Sequence, residues 1–131
     1  MIALENAKLN CRIEAYEDKI LCLKLLYRQP FQLTIPMVNA LEELLADFDP
    51  GEKLGLLIDA TDCLFSMDLE GARTLVESGV LDRLLKKEAW VVNRFATRNT
   101  IRFYRLIADQ RRPINVFWNK ESARLWLDST A

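Results

Sequence analysis

Apolar and polar positions along the chain change period several times, and each change marks an element. Cys11 to Tyr16 alternate, Glu17 and Asp18 interrupt, and Ile20 to Tyr27 form a second apolar stretch, which predicts a hairpin of two strands. Gln29, Pro30 and Phe31 end it. Thr34 is then placed to cap a helix with an early Pro36, along which Ile35, Val38, Leu41, Leu44, Leu45 and Phe48 recur at helical spacing until Asp49, Pro50 and Gly51 stop it. The most continuous apolar run, residues 54 to 60, reads as a buried central strand ending on Asp59.

Beyond it the stripe Leu69, Ala72, Leu75, Val76, Gly79, Val80 predicts a helix that breaks near Gly79 and resumes through Leu81 to Lys86. A short strand is expected at Ala89 to Asn93. Thr97 is placed to cap a helix over about 98 to 109, with Ile101, Phe103, Tyr104, Ile107 and Ala108 inward and Arg98, Arg102 and Arg105 on one outer arc. Ile114 to Trp118 reads as a last strand, and Asn119 as the cap of a closing helix that buries Ala123, Trp126 and Leu127. The order is strand, strand, helix, then strand and helix alternating. It predicts an α/β fold over residues 1 to 131 as a single domain: a mixed sheet of about five strands with an antiparallel pair first, packed with four helices. The loop of residues 59 to 68 then lies at the carboxyl end of the parallel strands, where such sheets place their sites.

Composition narrows the chemistry. The chain has no histidine, which removes the usual general base and metal ligand and every Ser/His or Cys/His nucleophile. Cys11, Cys22 and Cys63 show no metal spacing and, with no signal peptide and no apolar run of about 20 residues, point to a reducing, cytoplasmic setting without a membrane span. The net charge of -1 hides an imbalance: nine lysines and arginines against Glu88 and Asp109 give residues 83 to 112 a charge of +7, so the remainder carries -8. The four glycines match no phosphate-binding fingerprint, and no cofactor is expected. Trp90, Trp118 and Trp126 sit in or beside core periods, and the acidic residues elsewhere argue against nucleic acid.

Two groups of residues invite a functional reading. Asp59, Asp62 and Asp68 around one loop suit a metal or an acid/base pair, but caps and turns select the same residue types: Asp68 is expected to cap a helix, Asp62 to make a turn and Asp59 to bond nearby backbone N–H groups, so no metal is assigned. The Arg98, Arg102, Arg105 arc suits a phosphate, an anionic lipid head group or an acidic protein.

The element order, with Met67, Asp68 and Gly71 opening a helix after a strand that ends on Asp59, resembles the STAS domain of sulphate transporters and anti-sigma-factor antagonists. The closing Asn115, Val116, Phe117, Trp118, then Glu121, Ser122, Ala123, Trp126 and Leu127, is similar to the uncharacterised bacterial branch usually called anti-sigma-antagonist-like. The resemblance implies a non-enzymatic regulatory or protein-interaction module, with a partner loop comprising Asp59, Asp62, Ser66, Asp68, Glu70 and Gly71. In the switch-type members two serines follow the Met-Asp pair and the first is phosphorylated, adding a charge of about -2. Here Leu69 and Glu70 stand in their place, which leaves Ser66 as the hydroxyl nearest the loop, expected to cap the helix, while Thr74 is expected to bond a backbone carbonyl. A protein partner is expected and a homodimer is left open. The alternative from the residues is a carrier for a small apolar or anionic ligand, with the arginines at its mouth.

Overall fold

The computed structural model describes residues 9–108 and 111–129. Strands β1 (Cys11–Glu17) and β2 (Ile20–Leu25) form the expected hairpin, β4 (Leu54–Asp59) is the central run, and β6 (Leu85–Val91) and β7 (Ile114–Phe117) complete a sheet in the order β1-β2-β4-β6-β7. Only the β1–β2 pair is antiparallel. The hairpin turn does without an Asn-Gly pair because Asp18 and Lys19 both take the left-handed conformation, at φ 54° and 62°. A second sheet is new: β3 (Phe31–Leu33) and β5 (Phe65–Met67) pair in parallel. Each is three residues long, so neither shows a period.

Helix α1 (Ile35–Leu45) begins at Thr34, whose side chain makes no capping hydrogen bond. The helix expected to break near Gly79 is two helices, α2 (Leu69–Val76) and α3 (Gly79–Leu84), divided at Ser78, whose hydroxyl accepts from Leu81 N–H at 3.2 Å and donates to Glu42 at 2.8 Å. The second helix ends at Leu84. The chain enters β6 there, four residues before the expected strand.

Helix α4 (Phe95–Ala108) also begins earlier than expected. Thr97 lies inside it and is no cap; its hydroxyl donates to Cys63 C=O at 2.9 Å and accepts from Phe65 N–H at 3.2 Å, tying α4 to the segment before β5. Phe103 is exposed rather than inward, and the Asp109 end of the expected helix lies outside the described residues. Helix α5 (Lys120–Asp128) is capped by Asn119, as expected, through Ser122 N–H at 2.9 Å.

Alternation along the strands divides the core. Leu54, Leu56 and Ile58 of β4 join the large cluster roofed by α1, α2, α3 and α4, while Leu57 packs with Cys22, Ala89, Val91 and Leu127 under α5. Lys87 of β6 is buried at the end of α5, donating to Trp126 C=O at 2.9 Å and to Ser129 C=O at 2.8 Å. A cation there satisfies the orphan carbonyls of a helix C-terminus and suits its dipole. Among the described residues, no helix is long and apolar enough to cross a membrane.

Candidate functional site

The segment from Asp59 to Gly71 connects the central strand to α2, but it is not one open loop, because β5 interrupts it. Its three aspartates serve three separate ends. Asp59 is buried; its carboxylate accepts from the Thr61 N–H at 3.1 Å and from the Thr61 hydroxyl, and Lys120 Nζ lies 3.2 Å away. Burial pushes its pKa up, but the Thr61 bonds and Lys120 outweigh it and hold the carboxyl below its usual range. The group is therefore a fixed anion that joins the end of β4 to α5.

Asp62 takes a left-handed conformation at φ 65° and is clasped by Asn93: its N–H donates to Asn93 Oδ1 at 2.7 Å, and Asn93 Nδ2 donates back to Asp62 Oδ1 at 2.9 Å. This clasp binds the loop to the end of β6. Asp68 caps α2 by accepting from Gly71 N–H at 2.7 Å. Gly71 is required by crowding, since a Cβ there would sit 2.9 Å from the Leu33 carbonyl oxygen. Among the described residues no three His, Cys, Asp or Glu side chains are grouped as metal ligands.

Ser66 is not a cap. It lies in the middle of β5 beside Gln32 of β3, exposed, with Asp68 performing the capping two residues later. Thr74 does bond a backbone carbonyl, Glu70 C=O, at 2.8 Å. What the start of α2 presents to solvent is Leu69, 48% exposed at the first helical position, with Glu70 beside it. The cysteines carry no sign of activation: burial pushes the Cys63 thiol up, a hydrogen bond with the Tyr27 backbone opposes this only in part, and burial pushes Cys11 up to about 11.

The arginine arc separates into two environments. Arg102 and Arg105 are exposed, whereas Arg98 is buried, donating to Val92 C=O at 3.3 Å with its guanidinium 3.7 Å from the Trp118 ring centre. Trp118 follows β7 on the surface, 57% exposed, rather than in the core.

The most extensive polar assembly was not visible in the sequence. Glu88, fully buried in β6, accepts from Trp90 Nε1 at 2.8 Å, from the Tyr104 hydroxyl at 3.0 Å and from Arg112 Nε at 2.9 Å. Arg112 also donates to Asp82 at 2.9 Å and to Leu75 C=O at 3.1 Å, so one guanidinium joins α2, α3, α4 and β6. Glu88 standing directly before the apolar run Ala89 to Val92 was the available signal, because a buried carboxylate demands a cationic partner.

An α/β sheet opened by an antiparallel hairpin, with a capped helix start at the carboxyl side of its central strand, is a STAS-like fold. Among solved structures the chain is similar to an uncharacterised protein of the DUF3478 family with a SpoIIAA-like fold from Shewanella loihica PV-4. The two share 20% identity at a TM-score of 0.57, over 97% of this chain and 99% of that one. The likeness is one of fold. No family model matches the chain. No curated protein matches it either.

Proposed function

We infer that the chain is a regulatory or protein-interaction module, not an enzyme, and that it acts through β5 and the start of α2. The observation that carries this reading is Leu69, an apolar side chain held in solvent at the first position of a helix whose end is fixed by the Asp68 cap and the close approach of Gly71 to Leu33. A rigid element displaying an apolar anchor beside a charge is suited to a partner surface and costs little ordering entropy on binding. The three aspartates support the non-enzymatic reading, since each is already committed to a neighbour. At the position where switch-type relatives of the fold carry their serine, Leu69 has no hydroxyl, so the contact is constitutive.

The carrier alternative has less support. The apolar cavity bounded by Leu33, Met37, Val38, Phe65 and Trp90 holds only about 20 Å³, and none of the three arginines lines it.

Replacing Leu69 with glutamate leaves the fold intact, because the side chain is half exposed, and is expected to remove whatever protein co-purifies with the wild-type chain from its native cells. Quantitative co-purification of the two forms, with thermal melts to establish equal folding, is the test. A partner retained equally by Leu69→Glu would place the contact elsewhere.

A further inference from the structure

Helix α4 displays three exposed large apolar side chains: Leu106 is 78% exposed, Phe95 71% and Phe103 43%. Phe95, Arg102 and Leu106 follow one another at seven- and four-residue steps, which sets them in one row along the helix, with Asn99 and Phe103 beside it. Isolated surface apolar groups need no explanation, but three large ones on a single helix face do.

The charge of the same face is one-sided. No acid occurs from Arg94 to Ala108, and among the described residues none of Arg94, Arg98 and Arg102 takes part in an ion pair. Arg98 is the most telling, because it is only 7% exposed and is held by one carbonyl and the face of Trp118, with no counter-charge. Burial and the nearby Arg102 both push its pKa down, the direction expected of a cation short of an anion. Stacking on Trp118 fixes the guanidinium plane in advance, which suits it to a planar carboxylate.

We propose that the exposed face of α4 docks an acidic, amphipathic segment of a different protein, whose apolar groups cover Phe95, Phe103 and Leu106 and whose carboxylates meet Arg94, Arg102 and the Arg98–Trp118 pair. A second copy fits poorly: a two-fold contact through α4 sets the same arginines against one another. An anionic bilayer fits poorly as well, because Arg102 stands within the row and Asn99 between that row and Phe103, so polar groups lie inside the apolar face rather than at its borders. A mixed row of aromatic, aliphatic and arginine side chains has the composition of a protein interface. This surface extends the contact inferred at the start of α2, since α4 packs on both α2 and β5 and Thr100 bonds the Phe65 carbonyl at 3.2 Å, but the two can fail separately.

The experiment places a photoreactive p-benzoylphenylalanine in place of Phe103, and in a separate variant in place of Leu69, in the full chain expressed in its native cells. After irradiation, the adduct at position 103 is expected to be a different protein, with the cross-link mapping to a segment rich in Asp and Glu. A synthetic peptide of that segment should bind the purified chain less tightly as salt rises. Arg94→Glu combined with Arg102→Glu should weaken it about tenfold or more. An adduct to a lipid, to a second copy or to a neutral or basic segment overturns the proposal, and so does no adduct at 103. An adduct at 69 with none at 103 overturns it while leaving the reading of the α2 surface standing.

Discussion

Replacing Arg112 with methionine is expected to cost the domain about 3–5 kcal/mol, a large part of a total stability of roughly 5–15 kcal/mol. The cost does not come from the lost attraction alone. Glu88 is fully buried, and without Arg112 its charge keeps only the Tyr104 hydroxyl and Trp90 indole N–H as donors. The Leu75 carbonyl loses its bond to the guanidinium at the same time. A buried carboxylate so exposed to low dielectric either stays charged at high cost or takes up a proton. Restoring balance should therefore recover stability: Glu88→Gln added to Arg112→Met removes the charge and is expected to regain part of the loss. Urea denaturation midpoints of the two variants check this. A single variant within about 1 kcal/mol of wild type would mean that water reaches the network.

The second large effect is expected at Leu57. An aspartate there would stand in β4, the middle strand of five, on the face closed by α5 and against Cys22, Ala89 and Val91. Leu57 has no exposed area, and the side chains it packs with, Cys22, Ala89, Val91 and Leu127, are apolar. The penalty of several kcal/mol for an unpaired buried charge, added to the lost packing of a leucine, approaches the whole stability of the domain. Leu57→Asp should therefore lack a cooperative thermal transition, whereas Leu57→Met should keep it. A melt of Leu57→Asp like that of wild type would remove β4 from the centre of the sheet.

The sequence carried the main sheet and the helix order because long apolar runs and helical stripes have unambiguous periods. Where the period was too short to read, it carried nothing: β3 and β5, at three residues each, pair only because Phe31 and Phe65 are brought together by the elements around them. Ambiguous polar residues were the other source of error. Thr97 had the right identity for a cap but spends its hydroxyl on Cys63 and Phe65, and Ser66 had the right identity but lies in a strand. Trp118 reads as in or beside a core period from its place at the end of an apolar strand; one residue past β7 its ring lies on the surface beside Arg98. Within the candidate site, Met67, Asp68 and Gly71 were legible as the opening of α2. The separate roles of Asp68 as a cap, Asp62 in a turn and Asp59 bonded to a nearby backbone N–H were legible from residue type, but their distant partners Lys120 and Asn93, far along the chain, were not.

The central claim is that the start of α2 is a contact without a phosphorylation switch. Among the described residues at this helix start the only free hydroxyl is on Ser66, two residues before the cap, where a phosphate would not meet the first free amides of α2. Intact-mass analysis of the protein recovered from its native cells, with phosphatase inhibited throughout, tests this directly. A single unmodified mass is expected, whether or not a partner is bound. A substantial population heavier by about 80 Da, the mass of one phosphoryl group, and mapping to Ser66 would contradict it.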